Sequence, residues 1–508
     1  MFKKILIANR GEIAVRVIRA CREMGISPVV VYSDVDRAAL HVRKADEAYH
    51  IGPATASESY LNIPKLIEVA RKSGADAVHP GYGFLSENAG FNRACRDAGI
   101  KFIGPTPEAM ELMGSKTRAR QTMEKADVPF VPGTTKGLDS LEQAREIAAR
   151  IGYPVMLKAA GGGGGKGMRA VRSPQELASA LEQAKSEAMR SFKDDEVYIE
   201  MLIENPRHIE VQILGDEHGN LVYLGERECS VQRRHQKVLE ESPSSFVDPD
   251  MRCRMGETAV RVAKAADYTN AGTVEFLVDE QKNFYFLEVN ARLQVEHPVT
   301  ELVTGLDLVH LQIRIAAGEA LRLRQEDIAL RGHAIECRVY AEDPDNNYFP
   351  SPGTITRLLQ PSGPGIRRDS GVYEGWTVPM DYDPLLAKVI GYAAMRHDAI
   401  ARLDRAMYEY FVAGIKTNIS LFRRILRDPD FIAGRINTGY LDKLLERRSK
   451  VQQNGRETDT QIAALAAALF VQMDNGAAAH ESSKPAENHC ADVSNWKRVA
   501  RTEGLRAE

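Results

Sequence analysis

Phe284-Tyr285-Phe286-Leu287-Glu288-Val289-Asn290-Ala291-Arg292-Leu293-Gln294-Val295-Glu296 joins an aromatic run to a strict alternation of polar and apolar residues. In an extended chain, residues two apart share a face. One edge therefore presents Glu288, Asn290, Arg292, Gln294 and Glu296 in a row. A half-buried strand with a solvated face gives the same alternation. Such a face favours Lys, Thr and Ser, and here the aromatic lead-in places the first rungs deep in the fold. The ladder reads as the edge of an active site.

Working outward, Gly272-Thr273-Val274-Glu275-Phe276-Leu277 reads as the strand that pairs with Tyr285-Phe286-Leu287-Glu288 in a hairpin. Each strand carries one acid among apolar neighbours. Two unpaired carboxylates about 4 Å apart repel by roughly 4 kcal/mol at an effective dielectric near 20. A divalent cation removes the repulsion, and Asn290 can add a neutral oxygen on the same side. Three oxygen ligands together with nucleotide phosphates suit Mg²⁺ or Mn²⁺ better than zinc. The plain alternative is a pair of hydrogen-bonded structural acids.

Further upstream, Gly161 to Gly165 followed by Lys166-Gly167 is a glycine run flanked by strand-like segments, with Lys158 just before it. An isolated run of this kind is most often a linker. Between strands, its amides can curl around phosphate oxygens while a lysine supplies charge. Gly167 stands where a P-loop needs Ser or Thr, so this is a phosphate-covering loop of another kind. The cluster Gln232-Arg233-Arg234-His235-Gln236-Lys237 is a solvated charged stretch or an anion site. Arg292 and Lys237 together can hold a small oxyanion.

At the N-terminus, strand-like segments at 4–8, 28–32, 75–78 and 101–103 alternate with helical ones. This argues for a parallel, doubly wound sheet. Its first turn has only Gly11 where G-x-G-x-x-G is needed, so a Rossmann-like shell without a dinucleotide is expected. Segments 208–214 and 221–227 read as antiparallel partners around a turn at 216–220. A Pro/Gly-rich passage near 350–365 marks a further domain of short strands after Gly332. In the tail, 461–473 is an alanine-rich helix candidate, and 475–492 is polar enough to be disordered.

The 508 residues are enough for roughly three domains, and the net charge of −3 gives no bulk attraction to nucleic acid or acidic membranes. Six scattered cysteines form no CxxC pair, which points to a reducing cytoplasm. Neither a signal-peptide core nor a membrane-length apolar run is present.

In order, Lys116, Lys158, the glycine loop, Glu200, the 232–237 cluster, Glu275 and Glu288-x-Asn290-x-Arg292-x-Gln294-Val295-Glu296 resemble the ATP-grasp enzymes. More narrowly, residues 1–446 resemble biotin carboxylase. The strings Ile5-Leu6-Ile7-Ala8-Asn9-Arg10-Gly11-Glu12, His79-Pro80-Gly81-Tyr82-Gly83-Phe84-Leu85-Ser86-Glu87-Asn88 and Gln294-Val295-Glu296-His297-Pro298-Val299-Thr300 carry that likeness.

The resemblance implies a mixed α/β and α+β fold. It has a Rossmann-like N-terminal domain (1–112), an ATP-grasp domain (113–331) with a mobile glycine-loop lid at about 131–203, a C-terminal biotin carboxylase domain (332–447) and a tail (448–508). It implies that Lys116, Lys158, His208, Glu200, Met201, Leu202 and Ile203 bind ATP, with Gln232 and His235 beside them and Gly164 and Gly165 closing over the phosphates. Glu275, Glu288 and Asn290 would hold Mg²⁺ or Mn²⁺ at two sites.

Lys237, Arg292, Gln294 and the Val295 amide would bind bicarbonate, Glu296 would deprotonate it, and Arg338 would stabilise the biotin oxyanion. If Val295 binds through its amide, the rungs beyond Asn290 are placed by a loop. The chain departs from the family pattern at Lys166, where many relatives have Arg, and at Met201, where Lys is frequent.

No Ala-Met-Lys-Met biotin-attachment motif occurs, so the expected partners are a separate biotin carboxyl carrier protein and a carboxyltransferase subunit, with a homodimer by resemblance. The helix candidate at 461–473 would dock on one of these partners or on its own body. The acceptor would be acetyl-CoA or another acyl-CoA, as in fatty acid synthesis, or pyruvate. Another ATP-grasp ligase and a catalytically silent ATP-binding scaffold are the competing readings. Arg338 counts against the first, and the intact acidic and basic set counts against the second.

Overall fold

The computed structural model describes residues 1–134, 136–159, 167–192 and 194–447. Residues 1–443 form one unit and those from 444 onward another; the first carries the features below. The helix candidate at 461–473, the stretch 475–492 and Cys490 lie outside the described residues.

Ile5, Leu6 and Ile7 in β1 (Lys4–Ile7) are all fully buried, which requires cover on both faces of the strand. β1 lies between β2 (Ser27–Ser33) and β4 (Ala77–His79) in a parallel sheet, with β3 (Glu47–Gly52) and β5 (Lys101–Phe102) at its edges. Gly11 opens α1 (Gly11–Glu23) at φ +67°, in the left-handed region. A Rossmann sheet places a pyrophosphate at this first turn. Here Gly371 lies against it, and a Cβ on Gly371 would stand 2.6 Å from the Glu12 amide nitrogen. The Rossmann-like shell is present, and its phosphate turn is filled by a later part of the same chain.

A small antiparallel sheet has β6 (Val155–Ala159) between β7 (Met168–Val171) and β8 (Val197–Met201). Alternate residues Val155, Leu157 and Ala159 are buried with Ile147, Leu181 and Ala184 of two covering helices. The glycine run at 161–165 connects β6 to β7 and lies outside the described residues.

The largest sheet is antiparallel and eight-stranded. β13 (Phe284–Asn290), β12 (Asn270–Val278), β9 (Arg207–Gly215), β10 (Leu221–Arg233), β11 (Gln236–Ser242) and β14 (His333–Tyr340) follow one another, then Leu385–Ala393 and Ile366–Ser370. The 208–214 and 221–227 segments pair as expected, and β10 runs on to Arg233. Arg234 and His235 then turn the chain at φ +50° and +65°, so the basic cluster is the tip of a hairpin.

A domain of short strands was expected after Gly332. Short strands such as Gly353–Thr354 and Arg357–Leu359 do occur there. The large sheet nevertheless continues through this region. Every residue of β14 is buried, and β14 pairs with β11 on one side and Leu385–Ala393 on the other. β10 shifts register against both of its neighbours. Such bulges bend a sheet, and bending brings side chains of β11 and β12 together although two strands separate them.

Candidate active site

A cleft of about 970 Å³ is lined by both antiparallel sheets. Lys158, Glu200, Met201, Leu202 and Ile203 line one part of it, with His208, Gln232 and His235 beside them. Lys116 begins the helix Lys116–Lys125; its side chain, Gly164, Gly165 and Lys166 lie outside the described residues. Lys158 pairs with Glu200, which also takes Arg120 at 3.3 Å. Arg120 lies over Phe130 and Tyr198, 5.3 and 5.4 Å from the ring centres. The Met201 and Leu202 amides donate to Pro132 and Pro154 carbonyls at 2.7 and 3.0 Å, which fixes this edge of the cleft. Gln232 Nε2 lies 3.0 Å from His208 Nδ1.

Glu275 and Glu288 stand directly opposite each other on β12 and β13. The register slips between Glu275 and Phe276, so Phe286 pairs inward although it lies two residues before Glu288. Glu275 is crowded with donors. His208 Nε2 lies 2.9 Å from one oxygen, while Lys237 and Asn290 donate to the other at 2.8 Å each and Gln294 at 3.1 Å. Burial raises the Glu275 pKa, but Lys237 and His208 outweigh it and hold the carboxyl well below the usual range. An ionised acid opposite a second acid is donor chemistry that a hard divalent ion takes; the Asn290 amide, which here turns its nitrogen to Glu275 and its oxygen to Arg292, would add a neutral oxygen by flipping. Glu275, Glu288 and Asn290 therefore fit such an ion, which would share Glu275 with Lys237.

The strand ends at Asn290. Beyond it the one-face ladder is replaced by a loop, and Glu296 stands at the N-cap position of the helix His297–Thr304 without a side-chain capping hydrogen bond. The polar residues still converge. Arg292 donates to Gln294 Oε1 at 2.7 Å and Asn290 Oδ1 at 3.1 Å, and its Nε reaches Glu87 at 3.1 Å. Val295 lines the cleft. Glu296 is fully buried just behind the wall; Lys237 donates to one oxygen and Arg338 to the other, each at 2.8 Å. Burial raises the Glu296 pKa, yet Lys237, Arg338 and Arg227 together hold it well below the usual carboxylate range.

Several participants had not been singled out in the sequence. Glu210 accepts from Lys237 at 2.5 Å and also pairs with the fully buried Arg227. Arg227 is held further by Gln212, Thr300 and Thr273 at 2.7–2.9 Å. Three carboxylates, Glu210, Glu275 and Glu296, thus face three cations, Lys237, Arg227 and Arg338. Glu240 and Glu336 oppose each other across β11 and β14, both fully buried.

Arg338 Nε approaches Glu240 at 2.7 Å but is poorly aligned for a hydrogen bond. Burial, opposed by Arg338, pushes Glu240 up to about 7. Burial, opposed by Lys388, pushes Glu336 well above the usual carboxylate range. The signal for Glu210 lay in His208-Ile209-Glu210-Val211-Gln212, the same period-two pattern as the opening ladder.

Residues 1–110 match the family model described as "Biotin carboxylase, N-terminal domain", and 336–443 match "Biotin carboxylase C-terminal domain". Residues 115–324 match "Carbamoyl-phosphate synthase L chain, ATP binding domain". The chain is 54% identical to a biotin carboxylase of Nostoc sp. over 443 residues, which is 87% of this chain and 99% of the relative. It is 52% identical to a pyruvate carboxylase subunit of Methanothermobacter thermautotrophicus over 443 residues, 87% of this chain and 90% of the relative.

A solved biotin carboxylase–β-γ-ATP complex from Campylobacter jejuni matches with a TM-score of 0.84 at 49% identity, covering 87% of this chain and 99% of that one. The biotin carboxylase domain dimer of Hydrogenobacter thermophilus 2-oxoglutarate carboxylase, in complex with MgADP, ADP and bicarbonate, matches with a TM-score of 0.82 at 49% identity, covering 87% and 98%.

Proposed function

Because this chain belongs to the biotin carboxylase family of ATP-dependent ligases, we propose that it carboxylates biotin on a separate carrier protein and feeds a carboxyltransferase. Lys116, Lys158, His208 and the segment from Glu200 to Ile203 hold ATP, with Gln232 and His235 beside them and Gly164 and Gly165 over the phosphates. Glu275, Glu288 and Asn290 hold Mg²⁺ or Mn²⁺ at two sites; when bound, the metal neutralises and aligns the phosphates. Lys237, Arg292, Gln294 and the Val295 amide hold bicarbonate.

The observation that carries this reading is the buried Glu296 between Lys237 and Arg338. On its own, that carboxylate is a weak base, since cations hold its proton affinity down. A bicarbonate anion drawn to Lys237 and Arg292 shares their charge and raises the proton affinity of Glu296. Its basicity therefore rises when the substrate arrives. Glu296 takes the bicarbonate proton, and the freed oxygen attacks the γ-phosphate to give carboxyphosphate and ADP. Carboxyphosphate releases CO₂ and phosphate, phosphate takes the biotin ureido proton, and Arg338 stabilises the oxyanion while the ureido nitrogen attacks CO₂ to give carboxybiotin. A lid over the cleft keeps water from the labile intermediate.

The domain limits at 112/113 and 331/332, the lid at about 131–203, a homodimer and a cytoplasmic setting belong to the same reading. Among the described residues no helix is long and apolar enough to cross a membrane. Acetyl-CoA, another acyl-CoA or pyruvate fits as final acceptor; the likeness to a pyruvate carboxylase subunit supports keeping pyruvate among them. The test is ATP hydrolysis in bicarbonate with and without free biotin. Biotin-stimulated turnover is expected, and full-rate turnover without biotin overturns the proposal.

A further inference from the structure

Lys388 is fully buried, and none of the steps above uses it. Strand register fixes its place. In the pairing of β14 with Leu385–Ala393, Lys388 stands directly opposite Arg338, and residues directly opposite across antiparallel strands share a face. Arg338 donates to the Glu296 carboxylate at 2.8 Å, and Lys388 donates to the Val295 carbonyl at 2.8 Å. Two neighbouring cations thus grip two consecutive residues of the substrate loop.

The local sequence explains why that carbonyl needs a partner from elsewhere. Pro298 has no N–H to offer it, and the Val299 amide donates to the Glu296 carbonyl at 3.3 Å. Lys388 supplies the missing donor from beneath, since it lies outside the cleft lining. Its own charge is met by Glu12 at 3.1 Å, with Asp369 at 4.0 Å. The Tyr82 hydroxyl donates to Glu12, and the Tyr82 ring centre is 5.8 Å from the ammonium. The network therefore ties the start of α1 and the loop after β4 to the Val295–Glu296 peptide. An ion pair alone would satisfy a buried lysine; here the same ammonium also orients the peptide that leads into the proposed base.

We propose that Lys388 is a positioning residue for bicarbonate: it holds the Val295 carbonyl on the buried side and so sets the direction in which Glu296 meets the anion. This rests on the assignment of Lys237, Arg292 and Glu296 to the bicarbonate site. The test uses the full chain, with ATP, bicarbonate and free biotin, and compares Lys388→Met, Lys388→Met combined with Glu12→Gln, and Arg292→Ala. The double variant removes both charges of the buried pair, so that a fold lost through an unpaired Glu12 does not obscure the result; thermal unfolding checks that it is folded.

The expected result is a rise of about tenfold or more in KM for bicarbonate, with KM for ATP within about twofold of the parent. A bicarbonate KM within about twofold of the parent in the folded double variant, beside a raised one in Arg292→Ala, overturns the role of Lys388 alone. A KM for ATP that rises as much as that for bicarbonate also overturns it. Unchanged bicarbonate KM in both variants overturns the anion-site assignment on which it rests.

Discussion

Lys237 Nζ touches Glu296 at 2.8 Å while also contacting Glu210 at 2.5 Å and Glu275 at 2.8 Å, so one ammonium serves three buried carboxylates. The partners are unequal in consequence. Removing Lys237 leaves three acids short of a cation, whereas removing Glu296 leaves Lys237 two partners and Arg338 its contact with Glu240.

Lys237→Met is accordingly expected to destabilise the fold by roughly 3–5 kcal/mol, the usual cost of orphaning a buried charge. Glu296→Gln is expected to cost much less stability while lowering biotin-dependent turnover by at least about 10²-fold. Chemical unfolding and steady-state ATP hydrolysis measure the two separately. Equal stability losses in both variants count against the shared-ammonium arrangement.

Arg338 touches Glu296 and lines the cleft. Arg338→Ala is expected to reduce biotin-dependent turnover by at least about 10²-fold, with KM for ATP close to that of the parent. A variant that keeps its biotin stimulation removes Arg338 from the oxyanion role.

Glu288 faces Glu275 across the hairpin. Glu288→Ala is expected to raise the Mg²⁺ concentration for half-maximal rate by about tenfold or more and to weaken metal-nucleotide binding. Titration of the rate with Mg²⁺ at fixed ATP decides; an unchanged midpoint withdraws Glu288 from the metal set.

Outside the cleft lining, Glu241 accepts from Arg396 at 2.7 and 3.1 Å and lies 2.7 Å from His333 Nε2. Burial raises its pKa, but His333 and Arg396 outweigh burial and bring the carboxyl from 4.5 down to about 2. The carboxyl contributes its stability in full above pH 4.5, and the contribution fades as pH falls toward 2. Glu241→Gln is therefore expected to lower stability at pH 7 by roughly 3 kcal/mol, with the gap to the parent closing below pH 4.5. Melting temperatures of both proteins across that range provide the check; a gap that widens in acid contradicts the assignment.

Local patterning reached some of this site and missed the rest for physical reasons. Glu275 and Glu288 were legible because each is an acid in an apolar strand, and a hairpin leaves few registers that could pair them. Glu210 has the same pattern between His208 and Gln212, but nothing local separates it from a structural acid on a half-buried strand. Glu240, Glu336 and Lys388 could not be recovered from local pattern, because their burial follows from pairings between strands distant in sequence, as with Glu240 against Glu336 and Arg338 against Lys388; Arg227 pairs locally with Glu210, but Thr273 and Thr300, which also hold it, are distant in sequence.

The period-two reading held only to Asn290, where Ala291 leaves the strand and its amide donates to Glu87 of a distant loop at 2.8 Å. The roles of Glu296 and Arg338 came from family resemblance; nothing local in Glu336-Cys337-Arg338 marks a catalytic group. In the fold, the parallel N-terminal sheet followed from alternation, while the continuation of one sheet across Gly332 did not, since β14 looks the same in sequence whether it starts a new sheet or joins an old one.

The contact between Gly371 and the start of α1 also has a schedule. Chains lengthen at about 5–20 residues per second and domains generally fold as units, N-terminal first. On those rates Gly371 emerges roughly 20–70 s after Glu12. A nascent sheet of β1 to β5 that folds early waits through that interval with its first turn open to water, and acquires its stopper only once Gly371 has emerged.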